Sequence, residues 1–415
     1  MKYSLRVLLI LLVCVAGSVP GLARAQDGGE QPPIGAWDVC PTSENLPEEV
    51  FIGTVFGVSG SVAVYGEPQQ RAVDLAVTQI NGSGYLGEGT TLVALHEDGG
   101  SDPETSIAAM ENLAAEPDVS IIIGPTLSSQ AFAADPVAAE AGIPVMGVSN
   151  TATGITTMND DPELDQYVFR NSLPESAVIP GTVASATEIL GLEQVGVMYG
   201  NDDDFTVSGY EVFQQALEEQ GVEVLREETF ARGDVDFSPQ LTNIINDEPD
   251  AIVVSALVAE AVPIVQQARQ LGYTGPIIGG NGFNSPALFE QAGAAAEGVI
   301  VGAAWNVSNP SESSQFFSTA YEEAYGGSPD QFAAQAYTGA WLAAAAIRCA
   351  DSAEPDAVRE ALAGLADFDS PLGVYSFDEE RNPVHDPVAQ IVLGGQFDLL
   401  TDETAAQAFE AAAAE

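Results

Sequence analysis

Lysine is almost missing from this chain. Lys2 is the only one in 415 residues, and lysine and arginine together number 11. Histidine is limited to His96 and His385, and there are three cysteines. Each scarcity excludes a kind of chemistry. A phosphate loop needs a lysine after its glycines, and none stands there. No G-x-G-x-x-G opens a helix after a strand; Gly57-x-x-Gly60 and Gly279-Gly280-x-Gly282 do not fit. A Ser-His-acid triad has little support, because neither histidine lies near a G-x-S-x-G elbow. So few cysteines and such distant histidines make a zinc site improbable. Asp202-Asp203-Asp204 lacks the glycine and closing glutamate of a calcium loop. No cofactor and no metal are therefore expected, and a hydrolase is the weaker reading. With 61 acidic residues and a net charge of −50, the surface repels nucleic acid and anionic lipid.

Three of the 11 positive charges lie in the first 25 residues. Lys2 and Arg6 precede the apolar run 7–16 (VLLILLVCVA), and Ala23-Arg24-Ala25 is a small-x-small cleavage site. This is the pattern of a secretory signal peptide cleaved after Ala25. Cys14 follows Val13 rather than a small residue, which argues against a lipid-anchored cysteine. No later run is long and apolar enough to span a membrane. Processing removes Lys2, Arg6 and Arg24, so 8 basic residues remain against 61 acidic ones, a net of −53. Such a carboxylate coat stays hydrated at high salt, and the expected setting is halophilic. Cys40 and Cys349 survive processing, and in an oxidising compartment the pair is expected to be bridged. Residues 26–47, rich in glycine, proline and acid, read as an N-terminal tether.

From residue 50 a rhythm sets in. Short apolar, β-branched runs (51–57, 91–97, 119–124, 143–148, 195–200, 222–227, 251–256, 276–280 and 298–303) alternate mostly with helical patterns rich in Ala, Glu, Gln and Leu. Continuous apolar strands between helices mean parallel sheets covered on both faces. Their number exceeds one comfortable sheet and predicts an α/β chain with two doubly wound parallel-sheet lobes. After Trp305 three helical patterns follow in a row (311–326, 330–349, 354–365), then strand candidates at 372–377 and 389–395 and an acidic, alanine-rich tail over 399–415.

In open α/β sheets, ligands bind outside the carboxyl ends of the strands. Those ends carry neutral hydrogen-bonding groups here: Ser59 to Ser61 with Tyr65, Thr126 to Ser129, Ser149-Asn150-Thr151, and Asn281. IIIGPTLSSQ (121–130) runs from a buried strand straight into a helix start, where free N–H groups and the dipole favour a carboxylate. A serine at such a place can equally cap its helix, worth about 1 kcal/mol. Three clusters at neighbouring strand ends favour holding a small polar molecule over reacting with one.

The order and spacing of these stretches resemble the type I periplasmic solute-binding proteins of ABC importers, in the leucine/isoleucine/valine-binding branch. IGTVFGVSGSVAVYGEPQQRAVDLAVTQIN (52–81), IIIGPTLSSQ (121–130), IPVMGVSNTATGIT (143–156), YVFRNSLPES (167–176), FSPQLTNIINDEPDAIVVSAL (237–257), QARQLGYTGPIIGGNGF (267–283) and AEGVIVGAAWN (296–306) carry the likeness. It implies two lobes joined by a three-segment hinge near 170–173, 302–306 and 369–373. Lobe one would be 48–170 plus 306–370, and lobe two 173–302 plus 373–398. It places Cys40 and Cys349 on the same lobe. It also implies a monomeric, non-enzymatic receptor that hands a small ligand, an amino acid or small carboxylate, to a membrane permease. Carried over, the ligand carboxylate sits at Ser128, with Thr151 and the backbone of Ser149 beside it and Ser129 and Asn150 adjoining. Tyr65 covers it from the first loop, and Phe205, Leu257, Asn281 and Trp305 complete the cleft. Asn281 stands where the family's amino-acid binders place an acid against the ammonium; Asp204 or Glu260 is the acid expected to substitute if the fold brings it near. A non-amino-acid carboxylate or amide, and a ligand-sensing role, are the alternatives.

Overall fold

The computed structural model describes residues 31–414, so the expected leader and its cleavage site lie outside the described residues. Lobe one begins with β1 (Glu49–Phe56), α1 (Ala63–Ser83), β2 (Thr91–Asp98), α2 (Pro103–Ala114), β3 (Val119–Ile123), α3 (Ser128–Glu140), β4 (Val145–Gly147), the single turn α4 (Pro162–Asp165) and β5 (Val168–Arg170). Its sheet runs β2-β1-β3-β4-β5, all parallel. Every residue of β3 is buried, as a strand covered on both faces requires. Ile121 and Ile123 meet one core, and Ile122 meets another built with Met110 and Leu113 of α2 and Ala134 and Ala138 of α3.

Lobe two follows as α5 (Glu175–Leu190), β6 (Gln194–Gly200), α6 (Asp204–Gln220), β7 (Glu223–Phe230), α7 (Ser238–Asn246), β8 (Ala251–Ser255), α8 (Val258–Gln270), β9 (Ile277–Gly279), α9 (Ala287–Ala292) and β10 (Val299–Ala303). The chain then returns to lobe one with α10 (Glu312–Tyr325), α11 (Gln331–Ala350), α12 (Pro355–Ala363) and the hairpin β11 (Phe368–Ser370) and β12 (Gly373–Tyr375). It ends on lobe two with β13 (Val388–Leu393), β14 (Gln396–Leu399) and α13 (Asp402–Ala414). The second sheet is β14-β13-β10-β9-β8-β6-β7, parallel except that β13 runs against both β10 and β14. The α11 helix is buried from Gln331 to Arg348, and Tyr337, Trp341 and its many alanines close the lobe-one core against α1.

The three crossings join the lobes, but the third falls later than 369–373. Phe368, Leu372 and Tyr375 belong to the lobe-one core, and Phe377 packs on Phe169 with ring centroids 5.4 Å apart. Arg381 donates to the carbonyls of Val168 and Thr156. Lobe one therefore holds the chain through about residue 382, and the crossing lies just before β13. The described part of the expected tether is a packed arm. Ile34, Ala36 and Cys40 are buried, and the Trp37 ring stands edge-on to Tyr85 at 4.6 Å. The Arg348 guanidinium lies 5.2 Å from the centre of Trp37 and 4.8 Å from that of Tyr85. Cys40 and Cys349 are disulfide-bonded, with Cα atoms 5.0 Å apart. The acidic tail is likewise packed from α13 inward: Ala405 and Ala408 are buried against the face of the second sheet that α5 and α6 also cover. Among the described residues no helix is long and apolar enough to cross a membrane.

Candidate functional site

The β3–α3 junction is built so that the helix start stays open. Gly124 adopts φ 120°, and a Cβ there would run into the Val55 carbonyl oxygen, so only glycine fits. Neither serine caps α3. The Gln130 side chain reaches back to accept from the Leu127 N–H at 3.0 Å. The Ser128 hydroxyl accepts from the Ala152 N–H at 3.2 Å, and the Ser129 hydroxyl donates to Asp203 at 3.2 Å. The backbone N–H groups of Ser128 and Ser129 find no acceptor among the described residues. Thr126 and Ser149 are tied together through Gln69, which is fully buried. Gln69 donates to the Ser149 hydroxyl at 2.7 Å and accepts from Thr126 at 2.7 Å, while Ser149 donates to the Thr126 carbonyl at 2.6 Å. Asn150 donates to the carbonyls of Pro125 and Leu127 and holds the loop's shape. The Thr151 hydroxyl oxygen is buried and has no partner among the described residues.

Across the cleft stand the starts of α6 and α8. Tyr65 bridges the lobes: its hydroxyl accepts from the Val258 N–H at 2.7 Å and donates to the Gly282 carbonyl at 2.8 Å. Burial pushes the Tyr65 hydroxyl well above its ordinary pKa, so it stays protonated. The Ser129–Asp203 bond, Arg232 donating to the Ser101 carbonyl at 2.6 Å, and the Thr153 N–H donating to Ser208 at 2.9 Å add further ties. The small cavity between the lobes is lined by Tyr65, Thr126, Leu127, Ser128 and Ser149 from lobe one, by Phe205, Leu257, Asn281 and Gly282 from lobe two, and by Phe332 of α11. Its volume is about 20 Å³, room for little more than one water, so any larger solute enters only when the lobes part.

No charged side chain lines this cavity. The nearby acids sit one layer back and are buried. Asp203 accepts from the N–H groups of Phe205 and Thr206, and burial raises its pKa against the pull of Arg232. Glu175 is 1% exposed, accepts from the Asn281 N–H at 3.3 Å, and is pushed up to about 8 by burial. Neutral hydroxyls and helix N–H groups facing an apolar wall can hold a carboxylate whose body is apolar.

Of the residues expected at the site, Tyr65, Ser128, Ser149, Phe205, Leu257 and Asn281 come together around one cavity. Ser129, Asn150 and Thr151 lie just behind it. Trp305 does not join them. Its indole N–H donates to Ser314 at 2.9 Å and its ring packs on Phe317 in the lobe-one core. Asp204 is exposed, and Glu260 is spent on the Gly233 N–H at 2.8 Å. Sequence reasoning missed Gln69, Glu175, Gln331 and Phe332. The quoted stretches 52–81 and 167–176 contain Gln69 and Glu175 without singling them out, and nothing local marks Gln331 or Phe332.

A family model described as periplasmic binding protein matches residues 49–394. The chain belongs to the periplasmic binding protein family. Among its relatives is the Leu/Ile/Val-binding protein BraC3 of Rhizobium johnstonii, 26% identical over 337 residues, covering 80% of this chain and 88% of that protein. Among solved structures, the branched-chain amino acid substrate-binding protein LivJ of Streptococcus pneumoniae, in complex with isoleucine, is 30% identical with a TM-score of 0.77 and covers 84% of this chain and 98% of that one. The leucine-binding protein LivK of Thermotoga maritima is 26% identical, also with a TM-score of 0.77, covering 85% and 98%. These relatives, named for branched-chain amino acids, match the two-lobed fold of this chain.

Proposed function

We propose that the chain is the extracytoplasmic solute-binding component of an ABC importer. On this reading it is exported, cleaved after Ala25, and works as a monomer that delivers its ligand to a membrane permease without transforming it. The ligand is a small carboxylate with an apolar body, held between the lobes. The observation that carries this is the open start of α3: the Ser128 and Ser129 amides have no acceptor among the described residues, and the buried Thr151 hydroxyl beside them has no partner. A carboxylate satisfies all of them, while Tyr65, Phe205, Leu257 and Phe332 surround the rest of the solute. The relatives named for leucine, isoleucine and valine make those amino acids and their carboxylate analogues the first ligands to try. Closing around the ligand would exclude water and give the permease a surface that differs from the open form. The test is calorimetry with Ser128→Ala and Thr151→Ala combined. Binding of small carboxylates is expected to fall by about 150-fold or more, from roughly two lost charge-assisted hydrogen bonds. Unchanged affinity would refute the placement of the carboxylate.

A further inference from the structure

Asn281 is the one lobe-two side chain lining the cavity that can form directional hydrogen bonds, and its two ends are not equivalent. It belongs to a chain of five side-chain amides that runs through the hinge: Gln331, Asn281, Asn284, Gln390 and Asn306. Gln331, Asn284 and Asn306 are fixed by backbone groups that can act in one sense only, and they in turn set Asn281 and Gln390. The Ala304 N–H can only donate, and it meets Gln331 at 2.6 Å, so that atom is Oε1. The other end of Gln331 is then Nε2, a donor, and it meets Asn281 at 2.6 Å. The Gly302 carbonyl can only accept, and it meets Asn284 at 2.8 Å, which fixes that atom as Nδ2. The same Nδ2 also donates to Asn281 at 3.2 Å. Further out, Gln390 donates to Asn284 Oδ1 at 2.7 Å and accepts from Asn306 at 2.8 Å. The Ser308 N–H and the Phe397 carbonyl fix Asn306 in turn.

Oδ1 of Asn281 therefore accepts twice and is turned toward the hinge. Only Nδ2 remains, and it has no acceptor among the described residues. A carboxamide held this way offers the ligand a donor. It cannot accept from an ammonium, and no acid lines the cavity to do so instead.

We infer that the amide chain through the hinge makes Asn281 a fixed donor, and that the cleft selects carboxylates bearing an acceptor, such as a 2-oxo group, over the matching 2-amino acids. Gln331 is the positioning residue and Asn281 the specificity-determining one. The inference rests on the carboxylate reading of the α3 start. An ammonium facing the Asn281 amide would set donor against donor and leave both unpaired. The expected preference for the acceptor is roughly 10- to 100-fold.

The experiment compares 2-oxo and 2-amino acids of equal skeleton by calorimetry: pyruvate with alanine, 3-methyl-2-oxobutanoate with valine, and 4-methyl-2-oxopentanoate with leucine. The wild type is expected to bind the oxo member of the best-bound pair more tightly. Asn281→Asp keeps an oxygen toward Gln331 and Asn284 and puts a second one toward the ligand, so it should invert the order. Gln331→Glu replaces the donor facing Asn281 with an acceptor; the amide should turn over, and the preference should move the same way without any change in the cavity lining. A wild type that prefers the amino acid overturns this inference and leaves the carboxylate site standing. An unchanged preference in Gln331→Glu overturns Gln331 as the positioning residue. If no member of any pair binds, the carboxylate reading fails, and this inference fails with it.

Discussion

Removing one oxygen atom from Tyr65 should open the molecule. Tyr65→Phe keeps the ring, which packs against Phe332 with centroids 4.7 Å apart. It deletes the hydroxyl that accepts from the Val258 N–H at 2.7 Å and donates to the Gly282 carbonyl at 2.8 Å. Both partners are backbone groups of lobe two, and both are buried only when the lobes meet. In the open form water reaches them, so the loss falls on the closed form alone. Two hydrogen bonds of about 0.5–1.5 kcal/mol each give a shift of about 1–3 kcal/mol toward the open form. That is roughly 5- to 150-fold in the closing equilibrium, and ligand affinity should fall by up to that factor, in proportion to the closed fraction that is lost. Small-angle scattering should show a larger radius of gyration for the ligand-free variant, and calorimetry the weaker binding. The melting temperature should move little, because the core of each lobe is untouched. A variant that binds as tightly as the wild type and scatters identically would refute the idea that this hydroxyl latches the lobes.

Three further outcomes are expected. Reducing the Cys40–Cys349 bond frees an arm that closes a loop of 309 residues; the stability lost is about 2–5 kcal/mol, read as a lower denaturant midpoint, and no change would mean that Ile34 and Trp37 hold the arm unaided. Burial raises the Glu175 pKa from 4.5 to about 8, so the folded state binds the extra proton and this group's contribution is full below pH 4.5 and is lost as pH rises toward 8. Glu175→Gln should therefore show a shallower fall in stability between those limits than the wild type, and equal slopes would refute the neutral, buried carboxyl. A net charge of −50 repels itself, so the melting temperature should climb from low to molar salt; a flat profile would contradict the high-salt reading of the composition.

Much of the fold was legible because it is written locally. A run such as VSIII between helical patterns has one stable use, a strand covered on both faces, and the alternation of such runs implied two parallel sheets. The place of the cavity between the lobes was legible for the same reason: hydroxyls at strand ends, followed by helix starts, are neighbours in sequence. The residues that the sequence misassigned are those whose partners are remote. Trp305 follows a lobe-two strand, yet its indole is claimed by Ser314 and Phe317 once the chain turns back into lobe one. The third crossing looked earlier than it is because Phe377 and Arg381 carry no local mark of their contacts with Phe169 and Val168.

The sequence by itself determined the α/β architecture and the acidic composition, since these depend on residue content and short-range pattern. The tertiary structure alone decided which groups face the cavity between the lobes. Gln331 stands 50 residues from Asn281 in the chain, and only the return of α11 to lobe one brings its amide within 2.6 Å. Whether an asparagine offers an oxygen or a nitrogen depends on what occupies its other end, and that is a property of the packed hinge rather than of the residue.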